Sequence, residues 1–514
     1  MLKSSGAIAA ATMASRLLGL VREVAYASFM GAGWVADAFT LAFMVPNLFR
    51  RLLGEGALTA AFIPIFKETD AKEGKAASWK AANAVLSGLV LILLALVLLV
   101  LGGLTLALHW PGFDGKTRLM LELLRVMFPY VLLICVAALF TGMLNSRGHF
   151  FIPALGSLLL NGVLISAVLW GAPRMGLELH EQIFGVAIGV LVAGLVQAAF
   201  QWPLLRREGF RPQWVAPWRH PVVGRVIRQM IPGILGVAAY QLNVLIANGL
   251  AFHVDTAVVA SFNYAVRLME LPQGVFGLSM ASYLLPTLAG LAMDKNYPEF
   301  RKTLQSGLGH LVFINLLASV LLIALAEPIV RLLFERGRFD AADTARAAMA
   351  LTCLGPGLVA FSTVNILARA FYALGDMRTP VRISVLCLAI NAVLVLALIW
   401  KFREAGMGAA NSITALLNAG LLAYALRRKL SGLDWNPWRR LGPALLAAAV
   451  AAGWVAWWLN GQVHLAWGHQ TLWPRAAEVF LPALAATLLY GALAHALGVP
   501  YGKDLLRLVT GKSR

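Results

Sequence analysis

The sequence predicts an all-α polytopic membrane protein: fourteen transmembrane helices, arranged as two parallel-repeat six-helix bundles plus two C-terminal helices. Three observations predict it. Apolar runs of roughly 20 residues, the length needed to cross a bilayer, recur from one end of the chain to the other. The 514 residues are 60% hydrophobic and only 13% charged, which places the chain among membrane proteins. Prolines and short polar stretches between the runs return at nearly constant offsets.

The runs place helices near 7–30, 36–66, 82–108, 120–144, 151–171, 183–205, 226–250, 257–290, 304–326, 345–373, 380–400, 406–427, 440–460 and 477–498. The N-terminal stretch has a basic start but continues well beyond a signal-peptide core and carries Arg16 and Arg22, so it reads as the first span. The formal charge of +19 lies mostly in short segments between runs, where it orients the chain and meets anionic headgroups. With the N-terminus cytoplasmic, inside segments hold Lys67, Lys72, Lys75 and Lys80, then Arg206 to Arg228, then Arg427 to Arg440; outside segments are thinner. Both termini are therefore expected in the cytoplasm, which requires an even number of spans. Cys135, Cys353 and Cys387 fall within apolar runs with no CxxC spacing and read as small core residues.

Pro129 and Pro356 are 227 positions apart, as are Pro153 and Pro380. Gly112-Phe113-Asp114 echoes Arg338-Phe339-Asp340 at 226, and the segment around Pro64 resembles that around Pro286 at 222. The matched segments are six spans apart, an even displacement that keeps their direction across the membrane. The expected organisation is an N-terminal six-helix lobe over 1–205, a cytoplasmic linker over 206–225, a C-terminal six-helix lobe over 226–427, and two additional helices with a cytoplasmic tail over 428–514.

Charge within the spans is the functional signal. The first two contain Arg16, Arg22, Glu23, Asp37, Arg50, Arg51 and Glu55. Each would cost about 2.5 to 3.5 kcal/mol near a helix centre facing lipid, so most are expected to face a hydrated cavity or one another. Arg50 and Arg51 differ by about 100° around a helix, so one can enter a cavity while the other anchors at the interface or pairs with Glu55. In the eighth span Arg267 precedes Glu270 by three residues, a spacing that allows a helix-face ion pair. Gly19, Pro46, Gly54, Gly56, Pro272 and Gly274 are candidate hinges beside these charges. Several arginines with few matching acids suit an anionic, phosphate-bearing amphiphile, because guanidinium donates two parallel hydrogen bonds to phosphate.

Bond-making chemistry finds no support. There is no GxxxxGK[ST] loop, HExxH, CxxC pair or GxSxG elbow, and the nine histidines are scattered near helix ends and loops without metal-ligand spacing. The expectation is a secondary transporter with no catalytic residue, no metal and no cofactor, driven by membrane potential or an ion gradient. Asn365 reads as polar packing or an ion ligand, but Arg369 four residues later disfavours a sodium site there.

SRLLGLVREVAYASFMGAG, ADAFTLAFMVPNLFRRLLGEGALTAAFIPIF and YAVRLMELPQGVFGLSMASYLLPTL, in this order and spacing, resemble the bacterial MurJ/MviN family of lipid II flippases across nearly the whole chain. The resemblance implies the multidrug/oligosaccharidyl-lipid/polysaccharide exporter superfamily fold. It also implies a site in the bacterial cytoplasmic (inner) membrane and movement of lipid II from its cytoplasmic to its periplasmic leaflet. Lipid II is an undecaprenyl-diphosphate-linked disaccharide pentapeptide. By family correspondence Arg16, Arg22, Arg50 and Arg267 are substrate-binding and Asp37 belongs to a gate or charge network, for which Glu55 and Glu270 are further candidates from their positions beside these residues. Spans thirteen and fourteen would offer a groove to the prenyl tail. Membrane lipids and proteins of cell-wall synthesis and division are the partners this implies. Two alternatives stand beside it: a related exporter of another lipid-linked oligosaccharide or anionic drug, and a nontransporting scaffold for cell-wall enzymes.

Overall fold

The computed structural model describes residues 2–274, 278–430 and 436–501, apart from the side chains of 2–12, 54–56, 235–236, 239, 278–279, 281–283 and 436–440. The described residues form helices and no strand. Contacts divide the chain into one unit of Met1–Ala260 with Arg336–Phe339, and a second of Ser261–Glu335 with Asp340–Arg514.

The first unit contains α1 (Leu2–Met30), α2 (Trp34–Phe49), a π-helical segment (Arg50–Ala57), α3 (Leu58–Glu73), α4 (Lys75–Leu108), α5 (Gly115–Met127) and α6 (Tyr130–Ser146). It continues through α7 (Phe151–Ala154), α8 (Gly156–Ser166), a π turn to Gly171, a 3₁₀ turn to Arg174, α9 (Leu179–Arg207) and α10 (Pro221–Val254). The second begins within α11 (Val258–Pro272) and adds α12 (Leu278–Met293), α13 (Tyr297–Ala324), α14 (Ala326–Phe334), α15 (Ala341–Leu354) and α16 (Gly357–Ala373). It ends with α17 (Arg378–Lys429), α18 (Asn436–Trp467) and α19 (Leu472–Ala496).

The predicted spans fall largely in helix, apart from breaks such as those at 128–129 and 355–356 and residues 275–277 outside the described ones. Eight described helical stretches, two of them joining consecutive helices (Gly115–Ser146 and Phe151–Arg174), are long and apolar enough to cross a membrane, and α15 with α16, bent by 45°, makes a ninth if they are one span. Two predicted spans share α17, where Arg403 leaves the helix at φ 50° and ψ −128°. The π-helical segment with Arg50 and Arg51 divides the second predicted span, which is why neither α2 nor α3 reaches spanning length alone. Short α14 was not expected as a separate element. Its Glu327 and Arg331 pair at i,i+4 while Ala326, Pro328, Val330 and Phe334 are buried, an amphipathic pattern too brief to stand out. Residues from 226 onward were assigned to the second lobe by sequence; by packing, α10 lies with the π-helical segment, α2, α3 and α4 of the first unit.

The proline repeat has a local physical counterpart. Asp114 caps α5 by accepting from the Thr117 amide at 3.3 Å, and Asp340 caps α15 by accepting from the Asp343 amide at 2.9 Å. Each capped helix then breaks at its proline, Pro129 or Pro356, which lacks the N–H that would continue the hydrogen-bond ladder. Each following helix turns out of the bundle at a glycine with positive φ, Gly148 at 85° and Gly375 at 72°.

Beyond the apolar run of α3, Asp70 accepts two hydrogen bonds from Arg147, both at 2.8 Å, and one from Ser78 at 2.8 Å. Burial works to raise the Asp70 carboxyl, but the hydrogen bonds and the guanidinium charge lower it on balance. The Arg147 guanidinium also lies 5.0 Å from the Trp79 ring, tying this corner to a core of Phe62, Phe66, Phe140 and Phe210. In the second unit α18 packs a stripe of Ala448, Ala449, Ala452 and Ala456 in a core with Phe313 and Tyr490, and the Tyr490 hydroxyl donates to the Phe313 carbonyl at 3.0 Å. The opposite face exposes Trp454, Trp457 and Val450, as lipid contact requires.

Close approach to backbone is built into α9. Gly185 and Gly189, in a GxxxG arrangement, meet the turns that end the preceding helix, and a Cβ on Gly185 would lie 2.7 Å from the Ala172 Cα. Gly185→Ala is expected to destabilise the protein by about 1 to 3 kcal/mol through overpacking against backbone. Thermal unfolding in detergent should show a clear drop, while Gly103→Ala, with nothing within 4 Å of its Cβ, should not.

Candidate functional site

Arg22 lies on α1, its side chain only 14% exposed. One Nη donates to Asn161 Oδ1 of α8 at 3.0 Å, the other pairs with Glu23, and the guanidinium sits 5.5 Å from the Tyr26 ring. Asn161 in turn donates from Nδ2 to the Ser15 carbonyl at 3.1 Å, so the amide bridges α1 and α8. Gly19 sits in unbroken helix, where a Cβ would lie 3.6 Å from Asn161 Nδ2, an ordinary contact. The Arg22 Nε is buried and has no acceptor among the described residues, which leaves a charged donor in want of an oxygen. Arg16, six residues earlier, is exposed.

Asp37 is fully buried near the start of α2. It accepts from Lys116 Nζ at 2.8 Å and from the Ala260 amide at 2.8 Å. The same ammonium donates to the Phe252 carbonyl at 2.8 Å and the Asp255 carbonyl at 3.2 Å, and lies 4.2 Å from the Phe252 ring. This ion pair therefore joins α2, the start of α5, the end of α10 and the start of α11 at one point. Asp37 thus has a lysine as its ion-pair partner.

Arg50 opens the π-helical segment, and its Nε donates to Asn47 Oδ1 at 2.8 Å. It lines a cavity of about 590 Å³ whose polar wall includes Thr141, Asn145, Ser157, Gln197 and Gln201. Gln201 holds this wall by donating to the Ala137 carbonyl at 3.1 Å and accepting from Thr141 at 3.0 Å. Arg51 turns elsewhere and donates to Gln241 Oε1 of α10 at 3.4 Å. Pro46 is buried inside α2, just ahead of the π-helical segment that contains Gly54 and Gly56; the side chain of Glu55 lies outside the described residues.

In the second unit Arg267 and Glu270 form an i,i+3 ion pair at 2.8 Å, 37% and 46% exposed. Pairs so exposed contribute about 0.2 to 1 kcal/mol, so this ion pair is a weak one. Two residues beyond Glu270, α11 ends at Pro272, and the backbone widens into a π turn at Gly274.

Chemically, these groups are suited to holding an anion rather than to breaking bonds: in the first unit a buried guanidinium with a spare donor and a second arginine on a polar cavity wall, and in the second unit, taken by itself, a third arginine in an exposed pair. Lys116, Asn161, Gln197 and Gln201 are the polar partners that sequence reasoning missed as site residues. Lys116 sits in a short loop-to-helix junction, and only its position opposite a buried aspartate reveals its use.

The sequence pattern of the family described as "Lipid II flippase MurJ" matches residues 26–478. The chain belongs to the MurJ family. A Vibrio cholerae relative named "Probable lipid II flippase MurJ" is 34% identical over 491 residues, covering 91% of each chain. The solved structure of "Lipid II flippase MurJ, inward closed conformation" superposes with a TM-score of 0.76 at 22% identity, covering 95% of this chain and 99% of the other. An inward-facing multidrug resistance MATE transporter of the MOP superfamily gives 0.67 at 17% identity, covering 82% and 96%. This MurJ-family chain thus has the exporter-superfamily fold and is a multi-pass membrane protein, as its apolar helices require.

The Asp37–Lys116 pair gives a direct test. Lys116→Met leaves a buried carboxylate uncompensated and is expected to destabilise by about 3 to 5 kcal/mol, whereas Asp37→Asn combined with Lys116→Met should recover much of the loss. Thermal unfolding of the three proteins in the same detergent checks the order.

Proposed function

We propose that this protein flips lipid II from the cytoplasmic to the periplasmic leaflet of the bacterial inner membrane by alternating access, acting as a transporter rather than an enzyme. The observation that carries the reading is the buried Arg22 guanidinium, whose Nε has no acceptor among the described residues. A diphosphate oxygen satisfies that donor, and the low-dielectric surroundings strengthen the contact. Arg16, exposed on the same helix, and Arg50, on its polar cavity wall, extend the cationic path toward the sugar-bearing headgroup; Arg267 exchanges Glu270 for phosphate as the substrate passes. The prenyl tail stays in hydrocarbon beside the exposed apolar faces of α18 and α19. Binding has to remain moderate, because a deeply stabilised inward complex would raise the barrier to release.

Both termini face the cytoplasm in this reading, supported by Lys67 to Lys80, Arg206 to Arg228 and Arg427 to Arg440 on one side. Energy comes from membrane potential or an ion gradient. Proteins of cell-wall synthesis and division are the expected company, since the flipped product is their substrate.

Sealed vesicles containing the purified protein and labelled lipid II provide the test. Arg22→Ala should lower transport at least about tenfold, the effect of losing a charge-assisted hydrogen bond of about 1.5 to 3 kcal/mol, with membrane insertion unchanged. Normal flipping by this variant would remove Arg22 from the substrate path. Equal transport of another undecaprenyl-linked sugar would favour a broader exporter, and absence of any lipid movement with retained recruitment of cell-wall proteins would favour a scaffold.

A further inference from the structure

The sequence scatters its histidines, yet the fold brings two of them to one carboxylate at the turn between the last two helices. His464 lies near the end of α18, His469 follows Gly468, whose φ of 62° folds the chain back, and Glu478 lies in the second turn of α19. His464 Nδ1 is 2.7 Å from Glu478 Oε1 and 3.2 Å from His469 Nδ1, and one ligand atom from each residue lies within 4.8 Å of the others.

We propose that His464, His469 and Glu478 form a binding site for a divalent transition metal of the zinc class, which clasps α18 to α19. Tetrahedral zinc with bonds of about 2.0 to 2.1 Å separates its ligands by about 3.3 Å, close to the distance between the two imidazole nitrogens. A single proton on His464 Nδ1 can go to Glu478 Oε1 or to His469 Nδ1 but cannot serve both well; a cation accepts both imidazole lone pairs and the carboxylate with them. Water completes the fourth position.

The surroundings favour the assignment. Glu478 is 1% exposed, and its Oε2 has no hydrogen-bond partner among the described residues, although Arg331 Nη1 lies 3.5 Å away. Arg331 also faces Glu327 and Glu335, and Arg475 pairs with Glu335 at 3.2 Å. Three carboxylates thus meet two guanidinium groups, leaving negative charge before the imidazoles are counted. The backbone is held independently of any ion: Asn460 Nδ2 donates to the Glu478 carbonyl at 2.9 Å, and Arg475 Nε donates to the His469 carbonyl at 2.7 Å. Such bracing presents the ligands in place and reduces the ordering that binding demands. None of these residues belongs to the proposed substrate path, so the site concerns the stability and pairing of the terminal helices.

The test uses the full-length protein in detergent, purified without a polyhistidine tag, with Co²⁺ as a spectroscopic probe and Zn²⁺ as competitor. About one equivalent of Co²⁺ should bind with the intense visible bands of four-coordinate cobalt, and Zn²⁺ should displace it. His464→Ala and His469→Ala should each weaken binding by more than about tenfold. Zn²⁺ should raise the melting temperature of the parent and leave that of either variant unmoved. His469 lies in the turn, so its replacement spares the helices and keeps the comparison valid if the other variant fails to fold. Equal Co²⁺ binding by the parent and His469→Ala, or no Co²⁺ binding by a monodisperse parent, would overturn the proposal.

Discussion

A charged side chain held among apolar helices must find a partner, a polar wall or water, and this requirement orders much of the molecule. The cost of leaving Arg or Asp facing hydrocarbon, about 2.5 to 3.5 kcal/mol near a helix centre, exceeds what one helix contact returns. Asp37 meets it by capturing Lys116 and an amide, and in doing so fastens four helix ends together. Arg22 meets it only in part, through Asn161 and Glu23, with Nε left over. The contrast is physical: a fully satisfied buried pair fastens helices, while a cation with a donor left over among the described residues is the feature on which the proposed anion contact rests.

The π-helical segment at Arg50–Ala57 has a related cause. Adjacent side chains point well apart on any helix, so neighbouring arginines can serve different surroundings, and the wider turn sets where along the segment each one reaches. Arg50 lines the polar cavity and Arg51 reaches Gln241 on α10. Two glycines in the segment, Gly54 and Gly56, lower the preference for regular α-helix without introducing a loop that lipid would penalise. The backbone stays hydrogen-bonded while the charges are redistributed.

How much of this was legible in the sequence follows from the range of each signal. Apolar runs and prolines act locally, so the helices and the common offset of Pro129 and Pro356 were readable, whereas the breaks at those prolines fall inside spans expected to be continuous and the Asp114 and Asp340 caps were seen only as a sequence echo. The divided second span was visible as misplaced charge, and the ordered motifs around Arg22, Arg50 and Arg267 pointed to the family. Partners were not readable, because they come from distant positions: Asn161 is 139 residues from Arg22, and Lys116 is 79 from Asp37. Nor was the packing of α10, whose sequence shows an apolar helix but not the neighbours it chooses. Short α14 escaped because nine residues of amphipathic pattern blend into the end of the preceding apolar run.

The histidine cluster carries the same lesson to a smaller scale. His464 and His469 are five apart, a spacing that puts them on different faces of a continuous helix. The helix ends between them, and Gly468 supplies a backbone conformation that a side chain would oppose, so the two rings come to lie nearly parallel at 4.9 Å. Glu478 then arrives from the returning helix, held by its own backbone bond to Asn460 rather than by the histidines. Chemistry at this turn depends on where a helix stops. The same is true of Asp37, whose partners gather where α5 begins and α10 ends, so in this chain the ends of helices, more than their faces, decide which charges meet.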